Sequence, residues 1–263
     1  MHIHSFDNYV ARASPVHARD PRVKVLLSLG FILTMVLLPD GSWTAFVLSW
    51  AALLGAARLA QLPGAYLPAR SLIALPFALA AVTVLFTLPG EPVLAVKLGS
   101  WTLTISDAGL LRFASILLRS WLAVQAAVLL TAVTEFPDFV HALQHLRVPQ
   151  LLTAILSFMY RYLFVLADEA MRLLRARASR SGRRGDARAR SSIPWRAHVA
   201  GCMVGQLFLR SYERSDRVYQ AMLARGYQGR LLTMNPHQMS RTDWLALAAG
   251  LSVLLFLQLL ARS

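Results

Sequence analysis

Charged residues are absent from long stretches of this chain and crowded into others, and that alternation predicts its elements. Residues 71–90 run for 20 positions without a charge, enough for a helix to cross a hydrocarbon layer of about 30 Å. The uncharged runs at 25–38, 43–57, 120–134 and 244–261 are shorter and lie near or below the roughly 17 residues a span requires. They cross only if flanking Lys and Arg side chains reach outward along their aliphatic stems. Between the fourth and fifth runs the pattern changes. Residues 135–240 alternate apolar and basic positions at helical spacing, as long amphipathic helices do. Glu135-Phe136-Pro137-Asp138 opens one helix, which stops before Pro149. A long helix follows, with Asp168 and Arg172 spaced i,i+4 for an ion pair, until Ser181-Gly182-Arg183-Arg184-Gly185 breaks it. Pro194 opens the next helix, and Gly226 ends it. A short β-hairpin around Gly99-Ser100 fits the alternation over 93–105.

The distribution of Lys and Arg orients these elements, because basic loops stay on the cytoplasmic side. Arg12, Arg19, Arg22 and Lys24 place the N-terminal arm inside. The turn at 39–42, with only Asp40, reads as outside. Arg58 and Arg70 bring the chain back inside, and the sparsely charged 89–107 loop reads as outside. If 151–167 and 193–209 both crossed, the segment from Arg172 to Arg190, with eight arginines against the single Asp186 within it, would lie on the outer face. The expectation is therefore an all-α integral membrane protein with about five spans. Residues 1–134 hold the N-terminal arm and four of them. Residues 135–240 form long amphipathic helices on the cytoplasmic side, and 241–263 supply a C-terminal span.

Composition agrees with the membrane reading: 56% of residues are hydrophobic, 15% are charged, and the mean hydropathy is +0.50. The net charge of +14 raises the question of nucleic acid, but no zinc-finger, RRM or recognition-helix pattern accompanies it. Residues 1–21 are polar and include Asp7 and Asp20, so no cleavable signal is expected. Cys202 is the lone cysteine, which leaves neither a disulfide nor a cysteine zinc site.

Two segments end an apolar helical stripe on arginine. The first contains Leu173, Leu174, Arg175, Ala176, Arg177, Ala178 and Arg180. The second is Tyr219-Gln220-Ala221-Met222-Leu223-Ala224-Arg225-Gly226-Tyr227. A guanidinium prolonging an apolar face suits docking into an acidic groove, since it is always charged and presents a planar fork to carboxylates. These segments come with His17-Ala18-Arg19-Asp20-Pro21-Arg22-Val23-Lys24, with Val148-Pro149, and with Phe158-Met159-Tyr160-Arg161-Tyr162-Leu163 followed by Asp168-Glu169. Leu209-Arg210-Ser211-Tyr212-Glu213-Arg214 completes the set.

Together these blocks resemble the transmembrane T component of energy-coupling factor (ECF) transporters, of the cobalt/nickel CbiQ type. The resemblance implies two coupling helices ending in Ala-Arg-Gly motifs, here Ala176-Arg177-Ala178 and Ala224-Arg225-Gly226. In that family each arginine docks on one of two cytosolic ABC-type ATPases, and ATP-driven motion reaches a separate membrane S component that binds the substrate, here Co²⁺ or Ni²⁺. The location implied is the bacterial cytoplasmic (inner) membrane, with the N-terminus inside. The first motif departs from the family at Ala178, which leaves Arg175 or Arg180 able to share the role of Arg177, with Arg214 as a further auxiliary.

The chain has no Gly-x-x-x-x-Gly-Lys-Ser/Thr loop, so ATP hydrolysis is expected in partners, with no cofactor of its own and no enzyme activity. His141 and His145 are spaced for a metal, yet a structural role is favoured. His2 and His4 are weak candidates for Co²⁺ or Ni²⁺. Arg112 reads as interfacial, the deeper Arg119 either reaches the outer surface or touches another helix or the S component, and Arg161 reads as an interfacial anchor. Small residues at 55–57 and 78–81 permit close helix approach. Two alternatives stand beside the main reading. One is a T component for a vitamin S component such as a biotin carrier; the other is a basic membrane-anchored binder of anionic lipid or nucleic acid.

Overall fold

The computed structural model describes residues 9–74, 76, 81–87, 92–98, 101–180, 193–229 and 239–262. Its helices are α1 (Pro21–Leu37), α2 (Trp43–Leu59), α3 (Tyr66–Ser71), α4 (Val84–Thr87), α5 (Asp107–Val133), α6 (Phe136–His145), α7 (Gln150–Arg180), α8 (Ile193–Ala224) and α9 (Arg241–Leu260). A single 3₁₀ turn, Leu72–Ala74, follows α3. The hairpin expected near 93–105 is present as antiparallel β1 (Pro92–Leu98) and β2 (Trp101–Ser106), with Leu98 opposite Trp101.

Local chemistry sets the helix starts. Asp20 caps α1 by accepting from the Arg22 N–H at 2.8 Å, and Pro21 occupies the first turn, where its missing N–H costs nothing. Ser106 caps α5, and Ser240 with Asp243 forms a reciprocal capping box at α9. The 71–90 run differs from a simple span. Its described residues are Ser71 at the end of α3, the 3₁₀ turn, Pro76 and Ala81 in helical conformation, a turn at 82–83 and the four-residue α4; the rest, including 78–80, lies outside the described residues.

The chain divides into two compact units, one formed by the described residues up to 146 and from 239 on, the other by those from 147 to 229. In the first, α1 packs on α5, α6 and α9, while α2 packs on α5 and α9. Met35, Phe46, Leu53, Leu67, Leu122 and Ala126 form the heart of its apolar core. Helix α6, grouped by sequence with the coupling segment from residue 135, lies in this unit and buries Val140, His141 and Ala142. Close helix approach occurs at glycines other than the expected Gly55, which has open space around it. A methyl group on Gly250 of α9 would collide with the Leu27 side chain of α1, and one on Gly30 would press on Leu254.

Among the described residues, three helices are long and apolar enough to cross a membrane by length and composition: α5, α7 and α9. Helices α1 and α2 have 17 residues each, about 25 Å long, slightly short of the hydrocarbon thickness. The presence of α7 in this set runs against its expected place below the membrane. Its first half is apolar, and length and hydropathy take no account of the arginines that a crossing would export.

The polar ties of the first unit sit at its two ends. At one end, Lys24 Nζ donates to the His17 carbonyl at 2.9 Å and to the Val133 carbonyl at the end of α5 at 3.1 Å. The Val10 N–H bonds the Ala132 carbonyl, and Arg19 lies 3.6 Å from Asp243. At the other end, Arg119 donates to Asp40 at 2.6 Å, and the Gly41 N–H bonds Ser115 Oγ. Arg112 stands 3.9 Å from the same carboxylate. Arg112 and Arg119 thus both serve the α1–α2 turn, a contact within the chain.

Candidate functional site

The two arginine-bearing segments fall in the second unit, on α7 and α8. Glu169 of α7 faces Arg210 and Arg214 of α8, and Arg177 of α7 faces Trp195 of α8. Later positions on α7 therefore meet earlier positions on α8, and the two helices run antiparallel.

The second motif ends α8 in a way its sequence dictates. Gly226 adopts φ +80°, the left-handed region that a side chain disfavours. That conformation lets the Gly226 N–H reach the Leu223 carbonyl at 2.9 Å and the Tyr227 N–H reach the Met222 carbonyl at 3.0 Å. The pair of bonds is a Schellman cap, with Tyr227 and Met222 lining the same groove as its usual apolar partners. Arg225 is the capping residue itself, and it, Ala224 and Gly226 are exposed. The guanidinium is thus displayed at a fixed helix end.

The first motif is built differently. Helix α7 continues through Arg180, so Ala178 keeps helical geometry and has no need of the glycine that the second motif requires. The departure from Ala-Arg-Gly follows from where the helix stops. Arg177 is half-buried, its guanidinium 5.9 Å from the centroid of the Trp195 ring, a cation–π contact. Arg175, Ala176 and Arg180 are exposed. Residues 181–192, with the arginine-rich break, lie outside the described residues, as do His2 and His4.

Arg214, expected as an auxiliary, is engaged inside the hairpin. The Glu169 carboxylate is 14% exposed and accepts from Arg172 at 2.9 Å and Arg210 at 3.0 Å, with Arg214 at 3.8 Å. Arg172 therefore pairs with Glu169 at i,i+3, and the expected Asp168–Arg172 pair gives way to it. The reason is rotational: residue 169 points towards α8, where two more guanidinium groups converge, and residue 168 is exposed. Sequence reasoning noted Asp168-Glu169 together and missed the role of the glutamate, because Arg210 is 41 positions away. Trp195 carried no signal at all.

Beside this cluster, the N-terminal half of α7 and the C-terminal half of α8 line an open apolar groove of about 870 Å³, with Phe158, Met159, Tyr162, Phe208, Tyr212 and Tyr219 among its walls. Phe208 and Tyr212 are 66% and 67% exposed, and α8 buries none of its residues. This hairpin lacks a core of its own and leaves a large apolar surface for something else to cover. Arg161 is exposed.

His141, His145 and His17 make contacts within the first unit. The rings of His141 and His145 stack edge to face 4.7 Å apart, with His141 buried. Burial lowers the His145 pKa, and repulsion from Arg22 adds to it. His17 Nε2 donates to the Val10 carbonyl at 3.0 Å, and Nδ1 bonds Ser14 Oγ at 2.7 Å. Burial holds this imidazole below its ordinary 6.5, the Val10 bond offsets part of that, and the Lys24 charge works with burial. Among the described residues no group of three or more His, Cys, Asp or Glu side chains is placed to hold a metal ion.

Comparison with known proteins follows the same lines. A family model described as the cobalt transport protein CbiQ matches residues 12–238. An uncharacterized protein of Methanocaldococcus jannaschii is 30% identical over 56% of this chain, and the match spans about half that protein's length, 48%. The cobalt transport protein CbiQ of Salmonella typhimurium is 27% identical over 60% of this chain and 69% of its own. The energy-coupling factor transporter transmembrane protein EcfT of Lacticaseibacillus paracasei is 29% identical over 97% of both chains.

Proposed function

The chain belongs to the CbiQ cobalt transport protein family, and from that membership we propose that it is the transmembrane coupling subunit of an ECF-type importer for Co²⁺ or Ni²⁺. The observation that carries the reading is Arg225, displayed at a Schellman-capped helix end in a hairpin that buries almost none of its own apolar surface. In this reading two cytosolic ABC-type ATPases take Arg225 and Arg177 into acidic grooves. A membrane S component holds the metal and covers apolar surface of the coupling unit. Membrane lipid surrounds the first unit, and nucleic acid has no part. ATP hydrolysis belongs to the ATPases, whose closure moves α7 and α8.

The same reading keeps residues 135–240 on the cytoplasmic side of the bacterial inner membrane. Helix α8 is not among the helices apolar enough to cross. If α7 crossed alone, Arg177 and Arg225 would both lie outside, away from any ATPase. A cytoplasmic N-terminus, with Arg12, Arg19, Arg22 and Lys24, belongs to this topology.

One observation supports a second reading, a T component serving a different S component such as a vitamin carrier: the match to EcfT extends over 97% of both chains. The docking chemistry would be the same. The test is co-expression of the tagged chain with candidate ATPases and S components, comparing wild type with Arg225→Glu and Arg177→Glu. Loss of the ATPases with either change, while the chain stays in the membrane, is the expected result. Undiminished co-purification of the ATPases in both variants would overturn the docking role. Which S component co-purifies decides between metal and vitamin.

A further inference from the structure

The hairpin that carries both motifs is held together in an unusual way. Helix α7 buries only Thr153 and Ala154, α8 buries nothing, and an open groove separates the helices along the α7 N-terminal half. Apolar packing therefore does little to fix one helix against the other along that half, and beyond Glu169 on α7 Arg177 rests on Trp195 of α8. Among the described residues, the ion pairs that join α7 to α8 both end on Glu169, which takes Arg210 on Oε1 and Arg214 on Oε2. Arg172, from its own helix, shares Oε2 at 2.9 Å. The acceptor is much the less exposed partner, 14% against 61%, 54% and 35% for Arg172, Arg210 and Arg214, so the carboxylate is where these interactions are least screened.

Its position along the hairpin gives the cluster a mechanical meaning. Arg177 lies eight residues beyond Glu169 on α7, about 12 Å along the helix axis. Arg225 lies eleven residues beyond Arg214 on α8, about 16 Å along its axis. Because the helices are antiparallel, these displacements point in opposite directions from Glu169. The two ATPase-docking arginines thus sit on opposite arms of a lever whose only ionic crossing point, among the described residues, is one carboxylate.

We propose that Glu169 is the fulcrum of the coupling hairpin, a positioning residue that fixes the angle between α7 and α8 so that displacement at Arg177 or Arg225 is transmitted through the pair. This rests on the coupling reading above for its functional consequence, though not for its structural one. Three guanidinium groups on one carboxylate form a rigid, directional joint, whereas a neutral amide at the same place offers at most one oxygen acceptor and no charge. Without the carboxylate, Arg172, Arg210 and Arg214 would repel one another across the same crossing and open it.

The experiment uses the full chain in lipid nanodiscs with Cys202→Ser, and spin labels at Leu152→Cys on α7 and Gln220→Cys on α8. Both positions are exposed, and neither belongs to the docking motifs. Electron–electron dipolar spectroscopy on the chain alone is expected to give a narrow distance distribution with Glu169 and with Glu169→Asp. In Glu169→Gln it should broaden and move to longer distances. In the assembled importer, Glu169→Gln is expected to retain the ATPases and their ATP hydrolysis while losing most substrate uptake, and Glu169→Asp to recover part of it. If Glu169→Gln fails to reach the membrane, Arg210→Met/Arg214→Met removes the same crossing from the other side and carries the same expectation. An unchanged distribution in these variants would overturn the proposal, and so would a broadened one with normal uptake. The distance is read without ATPases, so the outcome for Arg225→Glu, which tests docking, stands apart from it.

Discussion

Gly226→Ala isolates the contribution of backbone geometry to docking. A Cβ at this position would meet nothing within 4 Å, so the substitution introduces no clash and its whole effect lies in φ +80°. An L-residue held in the left-handed region costs about 1–2 kcal/mol. That is roughly a 5- to 30-fold reduction in the population of the capped end. The uncapped chain loses the bonds from Gly226 to Leu223 and from Tyr227 to Met222, and Arg225 no longer leaves the helix in a fixed direction. If the capped form is the one that docks, apparent affinity for the ATPases falls by up to that same factor, because binding draws on the competent fraction. The assay is a titration of purified ATPases onto the chain in nanodiscs. Gly226→Asn serves as the control, since asparagine tolerates the left-handed region better than alanine and should recover most of the affinity. Arg225→Glu should abolish binding, and Ala178→Gly should give no gain, because α7 runs on through that position. Wild-type affinity in Gly226→Ala, or Gly226→Asn binding no better than Gly226→Ala, would refute the reasoning.

Two further predictions concern the first unit. Lys24→Met leaves the His17 and Val133 carbonyls without the ammonium that now joins them, at a cost of about 1.5–3 kcal/mol for a charged donor. The melting temperature of the detergent-solubilised chain should fall, while ATPase docking at Arg225 stays unchanged. His17 and His145 both have folded pKa values below the ordinary 6.5 because burial favours the neutral ring. The unfolded chain therefore binds more protons as the pH drops, so their contribution is complete above about pH 6.5 and is lost progressively below it as pH approaches the folded values. Thermal melts between pH 8 and pH 5 should show that loss, and His17→Gln should reduce its slope; a slope unaltered by the substitution would refute the role of His17.

The amino-acid sequence alone determined what depends on near neighbours along the chain. Pro21 with the Asp20 cap sets the start of α1, Pro137 marks the first turn of α6, the Ser240–Asp243 box sets the start of α9, and Gly226 sets the end of α8. Helical periodicity also marked Arg177 and Arg225, since an arginine ending an apolar stripe is visible within one or two turns. The tertiary structure decided the pairings that span distance. Lys24 meets the Val133 carbonyl across 109 positions, Arg119 meets Asp40 across 79, and Arg210 meets Glu169 across 41. It also decided that α6 packs with α1 and that Arg177 rests on Trp195. The physical reason is that capping and periodicity are properties of one helix, fixed by hydrogen bonds three to five residues apart. Which carboxylate an arginine meets depends on how two helices cross, and a rotation of one residue, about 100°, is enough to exchange Asp168 for Glu169.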